Sequence, residues 1–354
     1  MHVGALKPAL SSDRRQGGRW GIGQATKNHL LYFAASALLG ALSLVSSRQL
    51  PRLGRGLGRA LYRLGLARDL TLRNLAQVYP DLDRAGRDAL GLRVYAELGT
   101  YLGEAVARLH RPAELVPIRF EEGSRAILEE AVGEGRGVVF ASAHLGPWET
   151  VAGSLVHHGF PLTTLARESY DPRFVRLYDR LRGSAGVQTI YRGSAAAPLQ
   201  IVRALRRGVL LGVPMDLRSR VPSIPVPFLG IPAETAIGPA RIALRTGAPV
   251  VVGTAVPGES GELQLRMTRI PSGDLGRGDA GEQALTRRIN DELSRRILAF
   301  PQGWVWMHPR WTDASGSEAV AAAPGPARSD VEGDSRGPFR WSEDNSAPSP
   351  QETR

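Results

Sequence analysis

The sequence predicts an α/β protein, a mixed sheet flanked by helices with membrane-associated helices at the N-terminus, and three observations predict it. Four short apolar runs read as strands: GVVFAS (137–142), LTTLA (162–166), VLLGV (209–213) and PVVVGTA (249–255). Helical stretches alternate with them, near 147–158, 172–183, 195–206 and 238–246. Such alternation builds a sheet whose connections return across its faces. Ahead of these lies an uncharged run, Leu30 to Val45, bracketed by Lys27 and Arg48.

Taken in order, residues 1–28 form a polar segment with Gly and Arg, expected to be loosely ordered. The run LLYFAASALLGALSLV follows, slightly short of the roughly 20 residues that cross a bilayer. A secretory signal, a crossing helix and a helix dipping into one leaflet compete for it. A membrane helix, crossing or dipping, is the preferred reading, because no polar secreted-type domain follows. Arg48, Arg52, Arg55, Arg59 and Arg63 then recur at helical spacing, with Leu53, Leu57, Leu61 and Leu64 on another side. This suits the headgroup level of an anionic membrane, or else a solvated helix packed on the core. Gly54, Gly56 and Gly58 weaken it as a free helix. Residues 29–66 are therefore assigned to membrane-associated helices.

Residues 69–109 read as helical, broken near Pro80, and a long helix runs about 281–299. The body of the fold is expected over 67–312. Beyond it, residues 313–354 lose the apolar pattern and carry five prolines, eight acidic and four basic residues, which predicts a disordered acidic tail.

Composition narrows the chemistry. The chain of 354 residues is long enough for a large core, and 42% apolar with 22% charged residues is globular composition. Without cysteine, disulfides, thiolate catalysis and Cys-bound zinc are excluded. No His-Glu-x-x-His occurs, so no metal is expected. The net charge of +11 favours anionic partners. Nucleic acid is disfavoured, since the basic runs lack a recognition motif and interleaved aromatics.

The segment GVVFASAHLGPWET carries the candidate chemistry. A strand delivers His144 into a turn at Gly146-Pro147, and Glu149 falls in the first turn of the next helix. Open α/β sheets collect their sites at the carboxyl ends of strands. A carboxylate on one imidazole nitrogen would fix the tautomer and stabilise the imidazolium when the other nitrogen takes a proton. His144 is thus a candidate general base with Glu149 as partner. The competing reading is a surface or satisfied core histidine.

His144-Leu-Gly-Pro-Trp-Glu149 resembles the H-x4-D/E motif of glycerolipid acyltransferases, and most closely the bacterial lipid A late acyltransferase family, the lauroyl and myristoyl transferases. Phosphatidylinositol mannoside acyltransferases share the pattern. Leu165-Ala-Arg167-Glu168 resembles that family's second block. Gly212-Val-Pro-Met-Asp216 and Val226-Pro-Phe-Leu-Gly230 resemble its Asp-containing block and the loop after it. Glu234-Thr235 and Gly238-Pro-Ala-Arg241 resemble the following helix region, and Trp304-Val-Trp306-Met-His308-Pro-Arg310-Trp311 the terminal signature. The family's Asp-Gln-Asp appears as Pro214-Met215-Asp216, so only Asp216 carries over, and Pro309 replaces an arginine.

The resemblance implies an O-acyltransferase with a His144/Glu149 dyad and no cofactor. Acyl-carrier protein or acyl-CoA would be the donor. The acceptor would be a lipid A precursor at the cytoplasmic face of the inner membrane, or another glycolipid or lysophospholipid such as phosphatidylinositol mannoside. It implies substrate-binding roles for Arg167, toward phosphate, and for Asp216 and Glu234. Arg173, Arg176 and Arg180 share a helix face suited to phosphates or an acidic carrier, or simply to solvent. The Val221–Ile231 stretch is read as a proline-rich loop, lining the acyl pocket, touching membrane or packing in the core. His308 and its neighbouring tryptophans are expected to be structural. A non-catalytic, membrane-anchored lipid-binding protein is the rival from another class.

Overall fold

The structure, a computed structural model, describes residues 21–311 apart from 115, 170, 219 and 220. The first twenty residues of the polar segment and the acidic tail lie outside the described residues. Along β2 (Val138–Ser142) successive side chains turn to opposite faces of a sheet. Val138 and Phe140 pack with Leu128, Leu155 and Val251. Val139 and Ala141 pack with Leu90, Leu244 and Ile289 on the other face. Both faces are covered, which is why this strand reads as an unbroken apolar run.

The other strands of the main sheet are β1 (Arg119–Phe120), β3 (Leu162–Arg167), β4 (Gln188–Arg192), β5 (Leu210–Pro214), β8 (Val250–Pro257) and β9 (Leu263–Ile270). Their order is β1-β9-β8-β2-β5-β3-β4. Neighbours run parallel except the β8–β9 pair. Helices α5 (Ser124–Gly133) and α6 (Trp148–His157) cover one face. Helices α9 (Gly238–Thr246) and α10 (Asp279–Ala299) lie on the other, and α7 (Pro172–Gly183) and α8 (Ala197–Arg206) complete the crossovers of the β3–β4–β5 half. The predicted α/β class and all four predicted strands are present. β1, β4, β9 and α5 are additions.

The stretch read as a proline-rich loop is instead a two-stranded antiparallel hairpin, β6 (Ser223–Phe228) and β7 (Ile231–Ala236). Pro225 and Pro227 are tolerated because a two-stranded ribbon leaves each strand an edge that needs no donor. Leu229 and Gly230, both at positive φ, form its tight turn. Asn290 of α10 donates to the Pro227 carbonyl and to Thr235 Oγ1 at 3.0 and 3.1 Å, holding the hairpin on the body.

The N-terminal helices differ from expectation. Helix α1 (Ile22–Leu42) begins ahead of the apolar run and includes the polar residues Thr26, Lys27, Asn28 and His29. Among the described residues no helix is long and apolar enough to cross a membrane. Leu30, Leu31, Phe33 and Leu38 of α1 are exposed, as are Leu53, Leu57 and Leu64 further on.

Helix α2 (Leu50–Arg63) is docked rather than free. Its buried positions, Leu50, Gly54, Gly58 and Tyr62, recur every four residues and face α4 (Arg84–His110), which follows α3 (Arg68–Val78). There Gly99 and Gly103 allow the two backbones to touch. A β-carbon on Gly58 would overlap the Tyr95 carbonyl, whereas one on Gly56 would meet open space. Gly56→Ala is therefore expected to stabilise by about 0.5–1 kcal/mol through helix propensity alone. Gly58→Ala gains the same propensity but forces the helices apart, at about 1–3 kcal/mol, and lowers the melting temperature. Opposite signs in paired thermal melts check the docking.

Candidate active site

Strand register places the central pair. Ser142, the last residue of β2, stands opposite Pro214, the last of β5, and Met215 N donates to the Ser142 carbonyl at 2.9 Å. His144 and Asp216 each lie two residues beyond those ends, so they meet at the carboxyl edge of the sheet. The His144 amide donates to Asp216 Oδ2 at 2.8 Å, and His144 Nδ1 lies 3.0 Å from Asp216 Oδ1. Trp304 Nε1 donates to Oδ2 at 2.8 Å. An ionised carboxylate only accepts, so Nδ1 carries the proton and Nε2 is left as the basic nitrogen.

Asp216 is fully buried, while about a quarter of the His144 side chain is exposed (26%). Burial disfavours the imidazolium, but the Asp216 charge and hydrogen bond, with the Glu149 charge, outweigh it. His144 therefore sits above the ordinary histidine value, even with Arg182 opposing. For Asp216, burial pushes upward and is overcome by His144 and the donated hydrogen bonds, which hold the carboxyl below its usual range.

The tether expected from sequence is thus replaced. Glu149 does lie in the first turn of α6, but its carboxylate takes Arg182 of α7 in a two-point pair, with bonds of 3.1 and 2.7 Å. The imidazole takes Asp216, to which sequence reading had given a substrate-binding role. The physical reason is register: the β5 end delivers Asp216 to both His144 Nδ1 and its amide, while Arg182 captures Glu149.

The turn between β2 and α6 is fastened by the C-terminal segment. Gly146, at φ 65°, donates its amide to the Gly303 carbonyl at 3.0 Å, and Leu145 bridges to Trp304. Trp304, Trp306 and Trp311 are buried, in keeping with the structural role expected of them. His308 differs: it lines the cavity beside His144, and its Nδ1 is buried without a hydrogen-bond partner among the described residues.

That cavity holds about 760 Å³. His144, Trp148, Glu149 and Arg182 lie on its wall. Arg167 and Arg192, opposite each other on β3 and β4, add cationic wall, as do Arg218 and Arg241. Burial and the neighbouring Arg167 charge lower the Arg192 pKa. Leu165, Val175, Leu217 and Ile242 supply apolar surface, and Val221 and Pro222 join them. Further along that stretch Val226, Phe228 and Leu229 are in the core, while Pro225 and Gly230 are exposed. Glu234 is not on this wall. Alternation along β7 buries Ala233 and Thr235 and leaves Glu234 exposed, its carbonyl accepting from Arg310 at 2.5 Å. Among the described residues no cluster of His, Asp and Glu is placed to hold a metal ion.

Sequence reading missed Asp216 as the imidazole's partner, Arg182 as Glu149's, and the cavity positions of Arg192 and His308. The one available signal was the shared two-residue offset after GVVFAS and LLGVP.

Residues 24–313 match the model of a family described as bacterial lipid A biosynthesis acyltransferase. The chain is similar to the phosphatidylinositol mannoside acyltransferase of Mycolicibacterium smegmatis, 26% identical over 189 residues, which are 52% of this chain and 60% of that protein. It is also similar to a phosphatidylinositol mannoside acyltransferase of Mycobacterium tuberculosis, 28% identical over 189 residues, 52% of this chain and 57% of that protein. The chain thus spans less than two thirds of the length of these curated relatives.

Proposed function

Since the chain belongs to the bacterial lipid A biosynthesis acyltransferase family, we propose that it moves a fatty acyl group from a thioester donor to a hydroxyl of a membrane glycolipid. The observation that carries this is the His144–Asp216 pair at the wall of a large, arginine-lined cavity. Nε2 of His144 takes the proton of the acceptor hydroxyl as its oxygen attacks the thioester carbonyl. The carbon–sulfur bond breaks, and the thiolate leaves and takes up that proton from the imidazolium. Asp216 stabilises the imidazolium in between. Glu149 adds negative charge near the ring and holds Arg182 on the cavity wall. Arg167 and Arg192 suit acceptor phosphate, to which guanidinium forks match.

Acyl-CoA or acyl-carrier protein would serve as donor, and an acidic carrier suits the basic chain. Two acceptors follow from the family and its relatives. The family description favours a lipid A precursor, and the names of both relatives favour a mannosylated phosphoinositide. Exposed leucines on α1 and α2 beside exposed arginines suit an in-plane seat on the cytoplasmic face of an anionic inner membrane.

The test is thioester consumption by purified protein with each donor and acceptor. His144→Ala is expected to lower transfer by about 10²–10⁴-fold and leave vesicle binding unchanged. Full activity in that variant would remove the assignment, and vesicle binding without transfer in wild type would favour the lipid-binding rival. A base works only when neutral, so kcat/KM should rise with pH through the raised His144 pKa, with its midpoint above the ordinary 6.5.

A further inference from the structure

Arg108, on α4, is a buried cation that forms no ion pair among the described residues. Its Nη2 donates to Thr150 Oγ1, and its Nε has no hydrogen-bond partner among those residues. It is 4% exposed. Burial lowers its pKa, against the more distant charges of Glu149 and Glu104. An unpaired buried charge is among the most costly features a fold can carry, and is retained where something answers it. Arg108 lines a cavity of about 270 Å³ that shares no lining residue with the His144 cavity. Ser47 lines it too, and its hydroxyl is likewise buried without a partner among the described residues.

We propose that this cavity is a second ligand site, binding a phosphate-type oxyanion, carried by a lipid headgroup or free, through Arg108 and Ser47. A guanidinium and a hydroxyl are the donors such an oxygen cluster takes. The remaining polar lining permits it. Arg111 is already committed to the Val45 and Ser43 carbonyls, both at 2.8 Å, and so frames the cavity rather than competing. Glu114 leans on Arg111 at 3.9 Å. Burial pushes the Glu104 carboxyl up, which weakens its opposition to a bound anion. Val116, on the rim, is 82% exposed, and Leu44, between the two carbonyls that Arg111 holds, is 87% exposed. Apolar residues so placed suit the tail of a lipid whose phosphate enters the cavity.

The experiment uses the full chain with two probes. Inorganic phosphate is titrated against chloride at matched ionic strength, reading the melting temperature. Flotation then compares vesicles of phosphatidylcholine alone with vesicles that include phosphatidic acid. Wild type is expected to be stabilised by phosphate or to prefer phosphatidic acid, with Ser47→Ala weakening the response about tenfold and Arg108→Met abolishing the response to phosphate and leaving only the attraction that the exposed α2 arginines give to an anionic vesicle. A response to phosphate alone identifies a free anion, and one confined to vesicles identifies a lipid. Ser47→Ala removes a hydroxyl with no partner, so it folds normally and keeps the test decisive should Arg108→Met not fold. If wild type responds to neither probe, or Ser47→Ala responds as wild type does, the site does not exist. Nothing in this test depends on the chemistry at His144.

Discussion

Asp216→Asn is expected to lower acyl transfer by about three to four orders of magnitude while leaving the chain folded. The amide is nearly isosteric, so the space around Trp304 stays filled. What changes is charge and donor sense. The variant can present its NH₂ to His144 Nδ1, which selects the tautomer with the proton on Nε2, where no base remains. With the carboxylate gone, burial is left as the main influence and the imidazole pKa falls. Glu149→Gln should cost less, because Glu149 acts on the ring only through space and its hydrogen bonds go to Arg182. Steady-state kinetics on the two variants, with thermal melts as a folding control, separate these effects. A greater loss in Glu149→Gln than in Asp216→Asn would return the tether to Glu149.

Trp304→Ala is expected to be the most damaging single change to the body, at about 3–5 kcal/mol. The ring is fully buried and packs edge-on against Trp306 with centroids 4.9 Å apart. Phe228 and Trp311 lie at 5.7 and 6.2 Å. Removing it opens a cavity where the C-terminal segment closes the fold and removes the indole N–H that donates to Asp216 Oδ2. Trp304→Phe keeps most of the packing and loses the indole N–H, so about 1–3 kcal/mol is expected for the acceptor left short. Urea midpoints at unchanged m value measure both. The Phe variant should also lose activity out of proportion to its stability, because Asp216 loses a bond that positions it.

The strands legible in the sequence were those buried on both faces. β2, β5 and β8 read as apolar runs because each has sheet neighbours on both sides and a helical layer above and below. β4 is an edge strand with Gln188, Tyr191 and Arg192 in it, and that polarity hid it. β9 was hidden by Arg266 and Arg269, which face Glu121 and Glu130. The hairpin was hidden by its prolines, which argue against a strand in every setting but an edge. Among the helices, α7 and α9 were read with their observed bounds, since each carries proline in its first turn.

His144 was legible because a strand, a glycine turn and a helix surround it within one segment. Its partner lies 72 residues away. Spacing within a segment finds contacts along a helix or across a turn, and it cannot find a contact made by two strands lying side by side. Glu149 was near in sequence and was preferred for that reason, but Arg182, 33 residues on, claims it. Glu234 failed differently: its role came from resemblance, and the two-residue period of β7 turns it outward.

The most direct measurement is the pKa of His144 itself, followed by NMR of ring-labelled histidine in wild type, Asp216→Asn and Glu149→Gln. With Asp216 as the tether, His144 titrates above 6.5 in wild type, drops furthest in Asp216→Asn and moves less in Glu149→Gln. A His144 that titrates alike in wild type and Asp216→Asn, or that responds more to Glu149→Gln, would contradict the pairing on which the proposed chemistry stands.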